Sequence, residues 1–434
     1  MKGTLIKRRS FAKKSVRALI VSSALLALAG AAFAGEKLTL EQCVAYALAS
    51  HPSLTAAQGT IERNKASASL AAVSARTKVN GNVGYSRSGI TKGAGSGGSD
   101  GDWSSGVSLS QTVWDWGKTN TAIKSAKLTT KASEETYRRT RENVIAAVRD
   151  AYYGLNRSVR DIAVQKEQVK NYEKRLEWAK SYYSVGTKPK IEVTKAEADL
   201  ANARLTLIRA ESSAEQYKAQ LASAMGAPAL DIESVKDELA FEPWNIALNE
   251  ALERAAANRP DLSAQDLLLL KAKNDVKAAK LTNAPDLGAS GSYTFGGTTF
   301  NDSERWRAGL SLSIPIGDGG QTKARVAGAK ADLKVAEANR EKLAQDIILE
   351  VRRAWQALRE NSASMDAAQT AVKQARENLD LALGRYHAGV GNSLEISDAV
   401  DRYASAQTKL ITTLYDHKEA RLNLEKAMGE VSES

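Results

Sequence analysis

The chain contains one long stretch twice, and this duplication constrains its fold more than any other feature. The stretch Lys118 to Gly226 returns as Gln321 to Gly429, 203 positions later. An apolar residue recurs at every seventh position in both copies: Val148, Leu155, Ile162, Val169, Leu176 and Tyr183, then Val351, Leu358, Met365, Val372, Leu379 and Tyr386. A sustained seven-residue period predicts helices packed side by side in a coiled coil. Each copy is therefore predicted to be a long helix, a tight turn and a returning helix.

Helix length separates this chain from ordinary globular proteins. From Lys118 to Tyr183 there is no proline and only one interior glycine, Gly154, so nothing forces a break. At 1.5 Å per residue such a helix would run roughly 100 Å, whereas helices of globular domains average about 11 or 12 residues. The low aromatic content of 6%, beside 43% hydrophobic residues, also favours helical rods over a thick core.

Charge and composition exclude several classes of function. The net charge is +11, but seven basic residues precede the first acidic residue, and without them the excess is only +4. The remaining charges alternate along helices, so no nucleic-acid partner is predicted. Cys43 is the single cysteine, and His51, His387 and His417 are far apart, which leaves no pattern for a metal site. Because no nucleophile elbow, phosphate loop or dinucleotide motif is present, we predict neither enzyme activity nor a cofactor.

The first 34 residues are typical of a secretory signal peptide. A basic start precedes an apolar run of 13 residues from Ala18 to Gly30, and the segment 32–34 supplies the small residues that cleavage requires. The mature protein is predicted to begin at Gly35. Since Arg8 and Arg9 also fit a twin-arginine signal, the sequence leaves both export routes open.

The segments before each long helix repeat as well. Leu38 to Ser50 is predicted to be a short helix capped by Thr39, and Pro52 opens a second helix. The pair returns as Leu248 to Asn258 and Pro260, 208 positions later. Since the offset then falls to 203, five extra residues entered the first half, where the glycine-serine run 93–101 is predicted to form a flexible loop. The predicted domains are a first repeat (35–226), a linker (227–245), a second repeat (246–429) and a tail (430–434).

The apolar period changes from helical to two on either side of that loop. Two pairs of alternating segments, each about ten residues long, have the length that a tilted membrane strand needs. Their apolar positions are Val79, Val83 and Tyr85; Trp103, Val107, Leu109 and Val113; Leu287, Ala289, Tyr293 and Phe295; and Trp306, Ala308, Leu310, Leu312 and Ile314. These patterns predict two β-hairpins, each with one apolar and one small polar face.

Aromatic residues near the strand ends favour a membrane environment. They match the aromatic belts found at membrane interfaces, and the helices offer only narrow seams to cover four apolar faces. The alternative is a small sheet that covers a soluble core. The predicted belt consists of Tyr85, Trp103, Trp114, Trp116, Tyr293 and Trp306.

Four strands cannot close a membrane barrel, because the smallest barrels use about eight and open edges are forbidden in hydrocarbon. The barrel must therefore be shared between chains, and two copies supply eight strands while three supply twelve. The polar inner face suits a water-filled pore, which favours three copies. The predicted fold class is mainly α, with long antiparallel coiled-coil helices, four strands per chain and a small membrane β-barrel portion.

Several short motifs, in the same order in both halves, resemble the TolC family of outer-membrane efflux channels, and the likeness covers nearly the whole mature chain. They are His51-Pro52-Ser53-Leu54 and Arg259-Pro260-Asp261-Leu262, the junctions Gln111 to Gly117 and Ile314 to Gly320, and the tips Tyr183 to Gly186 and Tyr386 to Gly389, followed by Glu192-Val193 and Glu395-Ile396. The resemblance implies a homotrimer whose 12-stranded barrel in the outer membrane continues as a 12-helix tunnel into the periplasm. It also implies a passive conduit for efflux or type I secretion, served by a periplasmic adaptor and an inner-membrane pump of the RND, ABC or MFS type.

The resemblance assigns roles at the inner end of the tunnel. The adaptor-facing tips would be the two hairpin turns, Val185-Gly186-Thr187 and Ala388-Gly389-Val390. Glu395 and Asp398 lie three positions apart on one helix face and match the acids that line the narrowest point of the family's tunnel. Three chains would bring six such carboxylates together.

Family members often carry a latching arginine at the second tip, but Gly391 occupies that position here, and Lys188 and Lys190 are the candidates to replace it. Two other interpretations remain open at this point. A periplasmic coiled-coil scaffold with a small β domain would be extractable without detergent, and a secreted enzyme would need a cleft with perturbed acids. The sequence does not determine the cargo, because the pump would largely set it.

Overall fold

The structure, a computed structural model, describes residues 37–89, 99–299, 302–388 and 390–432. The predicted signal peptide, most of the predicted loop 93–101 and the tip residue Gly389 lie outside these ranges. The fold is mainly helical with one four-stranded sheet, as predicted. The elements are α1 (Leu40–Ser50), α2 (Pro52–Val73), β1 (Lys78–Gly89), β2 (Ser99–Trp114), α3 (Lys118–Ser184), α4 (Lys190–Ala224), α5 (Leu248–Asn258), α6 (Pro260–Lys280), β3 (Asp286–Gly297), β4 (Ser303–Ser313), α7 (Gln321–His387) and α8 (Ser393–Met428).

Helix α1 begins with the cap that the sequence predicted. The Oγ1 atom of Thr39 accepts a hydrogen bond from the N–H of Gln42 (3.3 Å), and the Gln42 side chain accepts one from the N–H of Thr39 (2.9 Å). The helix starts at Leu40 rather than at the predicted Leu38, because Leu38 forms a parallel β-bridge with Val235 of the linker. That bridge satisfies the backbone groups of Leu38 outside the helix.

The long helices α3 and α7 are each 67 residues long, but they differ in how far the residues of the seven-residue series are buried. In α7 the series stays inside as far as Tyr386, as predicted. In α3 the prediction is wrong at the tip, where Tyr183 is 47% exposed while Tyr172 and Ala179 are buried instead. An undistorted α-helix drifts about 20° per heptad relative to a strict seven-residue repeat. In α3 this drift turns a different stripe inward near the tip, whereas α7 follows the strict seven-residue repeat over the same length.

The chain divides into two compact units. Of the described residues, the first contains 37–55, Thr140–Arg259 and 347–432, and the second contains those within Ala56–Arg139 and Pro260–Asp346. Each sequence repeat therefore contributes to both units. The first unit holds the hairpin tips and the linker, whereas the second holds the sheet.

A glycine in the left-handed conformation follows each returning helix, Gly226 (φ 75°) after α4 and Gly429 (φ 71°) after α8. Each glycine lies against the backbone beside a helix-opening proline. A Cβ at Gly226 would lie 3.1 Å from the Cα of His51, and a Cβ at Gly429 would lie 2.9 Å from the Cα of Arg259. In each repeat, the glycine of the Ala-Met-Gly motif therefore packs against the backbone of the residue that precedes the helix-opening proline.

The strands are antiparallel neighbours in the order β1-β2-β3-β4. Their register places predicted apolar positions opposite one another, for example Val79 with Leu109 and Tyr293 with Trp306. The register confirms one apolar and one polar face for each hairpin. In the second hairpin the faces are less uniform than predicted, because Arg305 and Arg307 lie on the polar side and Glu304 lies on the apolar side. β1 and β4 form the two edges of this sheet.

Two details of β2 differ from the prediction. Residues 99–101, predicted to lie in the loop, belong to the strand and pair with the end of β1. A register shift between Thr112 and Trp114 leaves Val113 as an extra residue, so that Trp114 lies opposite Leu287. Strict alternation cannot show such a bulge, because the extra residue changes the parity of everything beyond it.

Each hairpin leads into its long helix through the same turn. Asp115 accepts hydrogen bonds from the N–H groups of Gly117 (3.0 Å) and Thr119 (2.7 Å), and Asp318 makes the matching pair in the second copy. Two left-handed residues follow each aspartate, and the first copy places Trp116 (φ 53°) in that conformation. A residue with a side chain adopts the left-handed conformation at a cost of about 1 to 2 kcal/mol. The hydrogen bonds of this turn therefore keep Trp116 in an unfavourable backbone conformation.

Candidate functional site at the hairpin tips

The first turn joins α3 to α4 through Gly186, which adopts the left-handed conformation (φ 75°). The N–H of Gly186 donates to the carbonyl oxygen of Tyr183 (3.0 Å), and the N–H of Thr187 donates to that of Tyr182 (3.0 Å). Such bonds satisfy carbonyl groups that a helix end leaves open. A Cβ at Gly186 would meet no atom within 4 Å, so this side of the turn is open.

The second turn folds back more tightly. The N–H groups of Val390 (3.1 Å) and Gly391 (3.0 Å) both donate to the carbonyl oxygen of Arg385. A Cβ at Gly391 would lie 2.8 Å from the backbone nitrogen of Tyr386, closer than Cβ atoms approach. The turn thus requires glycine at the position that the resemblance associates with a latching arginine. Lys188, a candidate replacement, lies over the Tyr386 ring of its own chain, with Nζ 5.9 Å from the centroid.

Aliphatic side chains surround both turns, and we call this set the tip crown: Val185, Ile191, Val390 and Leu394. They are 57% to 71% exposed, although branched aliphatic residues are usually buried. Exposed apolar patches mark interaction surfaces when they are contiguous. The other predicted tip residues that the structure describes, Thr187 and Ala388, are exposed as well, as is Lys190.

The predicted gate acids lie on the first turns of α8, and each has an arginine beside it. The Oε2 of Glu395 lies 3.5 Å from the Nε of Arg385, and the Oδ2 of Asp398 lies 3.8 Å from a terminal nitrogen of Arg402. All four side chains are 41% to 74% exposed, so water screens both pairs. Exposed pairs of this kind contribute about 0 to 1 kcal/mol. Their main consequence is electrostatic, because the four charges sum to zero within one chain.

Behind the tips, the two helical hairpins share one apolar cluster in the first unit. Aromatic rings meet edge to face at its outer end, where Tyr182 and Tyr386 lie 5.6 Å apart and Trp178 and His387 lie 4.5 Å apart between centroids. Aromatic contacts add about 0.5 to 1.5 kcal/mol beyond area burial. The cluster fixes one turn relative to the other and contains Tyr172, Leu200, Ala203, Leu379, Ala382, Tyr386, Ile396, Ala399, Val400 and Tyr403.

A shared acceptor connects α3 to α8 at the edge of this cluster. The hydroxyl of Tyr172 donates to Oδ1 of Asp401 (2.6 Å), and the amide of Gln168 donates to the same oxygen (2.9 Å). Burial, and then the adjacent Asp401 carboxylate, raises the pKa of Tyr172. The hydroxyl therefore keeps its proton and remains a donor at physiological pH.

Arg175 provides a second connection from deeper inside. Its side chain is 1% exposed, and one terminal nitrogen lies 2.5 Å from Oδ2 of Asp199, which also accepts a hydrogen bond from the hydroxyl of Ser397 (3.3 Å). Its Nε and second terminal nitrogen have no hydrogen-bond partner among the residues that the structure describes. One carboxylate thus joins three helices, α3, α4 and α8, while it neutralises a guanidinium that water does not reach.

Neither the motifs nor the seven-residue series indicated Arg175, Asp199 or Ser397 as site residues. Arg175 follows the buried Tyr172 by three positions and precedes the buried Ala179 by four. A search with the 3.6-residue period of a straight helix would therefore have placed it on the inner face. The strict seven-residue series selected its neighbour instead.

The predicted aromatic belt lies in the second unit, and all six residues are 39% to 74% exposed. Tyr85 contacts Trp103 near the β1 to β2 connection (4.9 Å between centroids), and Trp114 contacts Trp116 at the other end of β2 (6.2 Å). The span from Trp103 to Trp114 corresponds to roughly 36 Å of strand. A tilt of about 45° reduces this to roughly 25 Å, the height of the apolar band on membrane barrels.

The buried thiol and imidazole groups of the first unit, Cys43 and His417, are part of its packed core. Burial raises the pKa of the Cys43 thiol to about 12. Burial also lowers the pKa of His417, whose ring packs against Phe241 at 4.8 Å. Within the described ranges, no three His, Cys, Asp or Glu side chains are placed to hold a metal ion. No described helix is long and apolar enough to cross a membrane.

Comparison with known proteins agrees with this geometry. The profile of the family described as outer membrane efflux protein matches residues 44–227 and 251–430. The pyoverdine export outer membrane protein OpmQ of Pseudomonas aeruginosa is 24% identical over 405 residues, which cover 90% of this chain and 85% of the relative. The outer membrane protein TolC of Escherichia coli is 23% identical over 350 residues, which cover 76% and 70%. The solved structure of the outer membrane protein VceC of Vibrio cholerae shares the fold with a TM-score of 0.80 at 19% identity, over 90% and 96% of the two chains.

Proposed function

We propose a function from one premise: this chain belongs to the outer membrane efflux protein family, whose profile matches both of its repeats. The protein is the outer-membrane channel component of a tripartite efflux or type I secretion system. It is a passive conduit from the periplasm across the outer membrane for exported small molecules or polypeptides. Energy comes from an inner-membrane pump of the RND, ABC or MFS type, reached through a periplasmic adaptor.

The open four-stranded sheet carries this proposal. β1 and β4 lie at its edges, where each strand leaves a row of backbone groups unpaired within the sheet, and the apolar face is exposed. In hydrocarbon an unsatisfied backbone group costs several kcal/mol, so the edges must pair with those of other copies. A homotrimer supplies twelve strands and turns the small polar face toward water.

The tip crown is the proposed adaptor surface. Its four aliphatic side chains remain in water in the isolated chain, while the cluster behind them holds both turns in place. A docking adaptor would bury them and gain about 25 cal/mol for each Å² of apolar surface removed from water. Polar contacts at the turns would then set the orientation of the adaptor.

Glu395 and Asp398 are the proposed lining of the constriction. Because Arg385 and Arg402 accompany them, a trimer would place six carboxylates and six guanidinium groups there, rather than a purely acidic ring. Removing the carboxylates leaves the guanidinium charges uncompensated, and removing the arginines leaves the carboxylates uncompensated. The two sets of charges can therefore be tested against each other.

Removing the acids and removing the arginines should shift ion selectivity in opposite directions. Glu395→Ala with Asp398→Ala leaves two unpaired arginines per chain, and we expect the permeability ratio to move toward anions by about threefold at 0.1 M salt. Arg385→Ala with Arg402→Ala is the matched variant and should move the ratio toward cations and strengthen divalent block. Reversal potentials in planar bilayers under a KCl gradient measure both. Equal potentials for the parent and both variants would place the gate elsewhere.

A further inference from the structure

The polar face of the sheet carries two arginines that form no ion pair with any residue described by the structure. Arg305 and Arg307 alternate with Glu304 and Trp306 along β4, and Trp306 lies opposite Tyr293 on the apolar face. The hydroxyl of Tyr293 donates to Glu304 (2.7 Å), which places that acid on the apolar side as well. The arginines therefore lie on the other face, and both are exposed.

Small side chains surround these arginines. In the register, Arg305 lies opposite Thr294 and Arg307 opposite Ser292, and β2 continues the two rows with Gly106 and Ser108. Two residues along a strand correspond to roughly 7 Å, so both guanidinium groups rise above short neighbours in a single patch.

No carboxylate in the described part of the chain neutralises this patch. Neither Arg305 nor Arg307 forms an ion pair with an acid among the described residues, and Asp286 on the same face is already bound to Lys118 (2.9 Å). Asp102 also lies on this face, but on β2, which is two strands away from β4. The β2 residue level with Arg305 is Gly106, and Asp102 precedes it by four residues. With strands about 4.8 Å apart and 3.3 Å per residue, that is roughly 16 Å, beyond the ~10 Å screening length at 0.1 M salt.

The opposite orientation, with the arginines toward lipid, is excluded by the other face. That face holds Trp103, Val107, Leu109, Leu310 and Leu312, and an arginine on the lipid side of a barrel is strongly disfavoured near the midplane. Water on the polar face hydrates the guanidinium groups and leaves their donors free for a ligand. A guanidinium presents a planar fork that fits carboxylate and phosphate groups in a bidentate manner.

We propose that Arg305 and Arg307 form an anion-binding ring inside the barrel, which recognises solutes that carry several carboxylate or phosphate groups. The inference rests on the proposed function, because three chains must close the barrel to bring six guanidinium groups together. Single charges in water attract weakly, but a multivalent anion interacts with several arginines at once. The ring therefore favours polyanionic cargo over neutral or cationic solutes of the same size.

Citrate block of single channels tests the ring. We expect Arg305→Ser with Arg307→Ser to raise the citrate concentration for half block on the order of fivefold at 0.1 M KCl, and the difference to vanish at 1 M KCl, where screening acts within ~3 Å. Arg305→Lys with Arg307→Lys keeps the charge without the fork and should lie between them. Arg204→Ser is the matched control, since Arg204 is an exposed arginine on α4 paired with Glu173, and it should leave block unchanged.

The outcomes separate the two claims. Parent channels that conduct and are blocked by citrate at the same concentration as the serine variant would overturn the ring alone. A parent protein that forms no channel at all would overturn the proposed function, and the ring with it. Native sizing of every variant checks that the assembly is intact.

Discussion

Asp199→Ala is expected to loosen the hairpin tips more than any other single removal of a charge in the first unit. It leaves Arg175, 1% exposed, without a counter-ion, and it also removes the acceptor for Ser397. Breaking a buried pair in this way costs about 3 to 5 kcal/mol. The lower end applies here, because the Tyr172 ring lies 6.0 Å from the guanidinium and offers some compensation.

Amide hydrogen exchange of α4 measures the effect of Asp199→Ala, since 3 kcal/mol of local opening corresponds to roughly 150-fold faster exchange. Arg175→Met should cost less, about 1 kcal/mol, because the carboxylate that remains is 25% exposed and can be hydrated. Glu197→Ala is the matched control on the same helix, since its pair with Lys180 is more than half exposed. Exchange in Asp199→Ala equal to that in the control would contradict the buried connection.

Gly429→Ala is expected to destabilise the first unit by about 2 kcal/mol or more. About 1 kcal/mol comes from the left-handed backbone (φ 71°). The rest comes from contact, because the new Cβ would lie 2.9 Å from the Cα and 3.0 Å from the nitrogen of Arg259. Both are backbone atoms that a rotamer change cannot move, so the helix end itself must shift.

Two other glycines separate these costs. Gly186→Ala carries the same backbone cost (φ 75°) with no atom within 4 Å, and Gly226→Ala meets Pro52 and His51 at 3.0 to 3.2 Å. The urea midpoint in detergent should therefore be lowest for Gly429→Ala, intermediate for Gly226→Ala and highest for Gly186→Ala. Equal midpoints for all three would mean that backbone contact contributes nothing.

Periodicity predicted the architecture because it acts over long stretches. The matched series from Val148 and Val351 predicted the two long helices almost to the residue, and alternation predicted four strands with the correct faces. Positions that depend on one residue were harder. Alternation assigned Ile314 to the last strand, but that strand ends at Ser313. It ends there because the nearby Pro315 has no N–H group to donate to a neighbouring strand.

Contacts between distant segments could not be predicted from patterns. Ser397 lies 198 positions from Asp199, and no local propensity connects them. The sequence likewise predicted Glu395 and Asp398 as gate acids without their arginines, since Arg385 reaches Glu395 only after the turn at Gly391 has folded back. That turn depends on a backbone approach that a Cβ would block.

Native mass spectrometry of the mature protein released from detergent tests the central claim most directly. The claim is that the edges β1 and β4 pair only with those of two other copies, because every backbone group in hydrocarbon must be satisfied. We predict one dominant species whose mass is three times that of the mature chain. A single-chain species as the only folded form in detergent would contradict the shared barrel and the channel that depends on it.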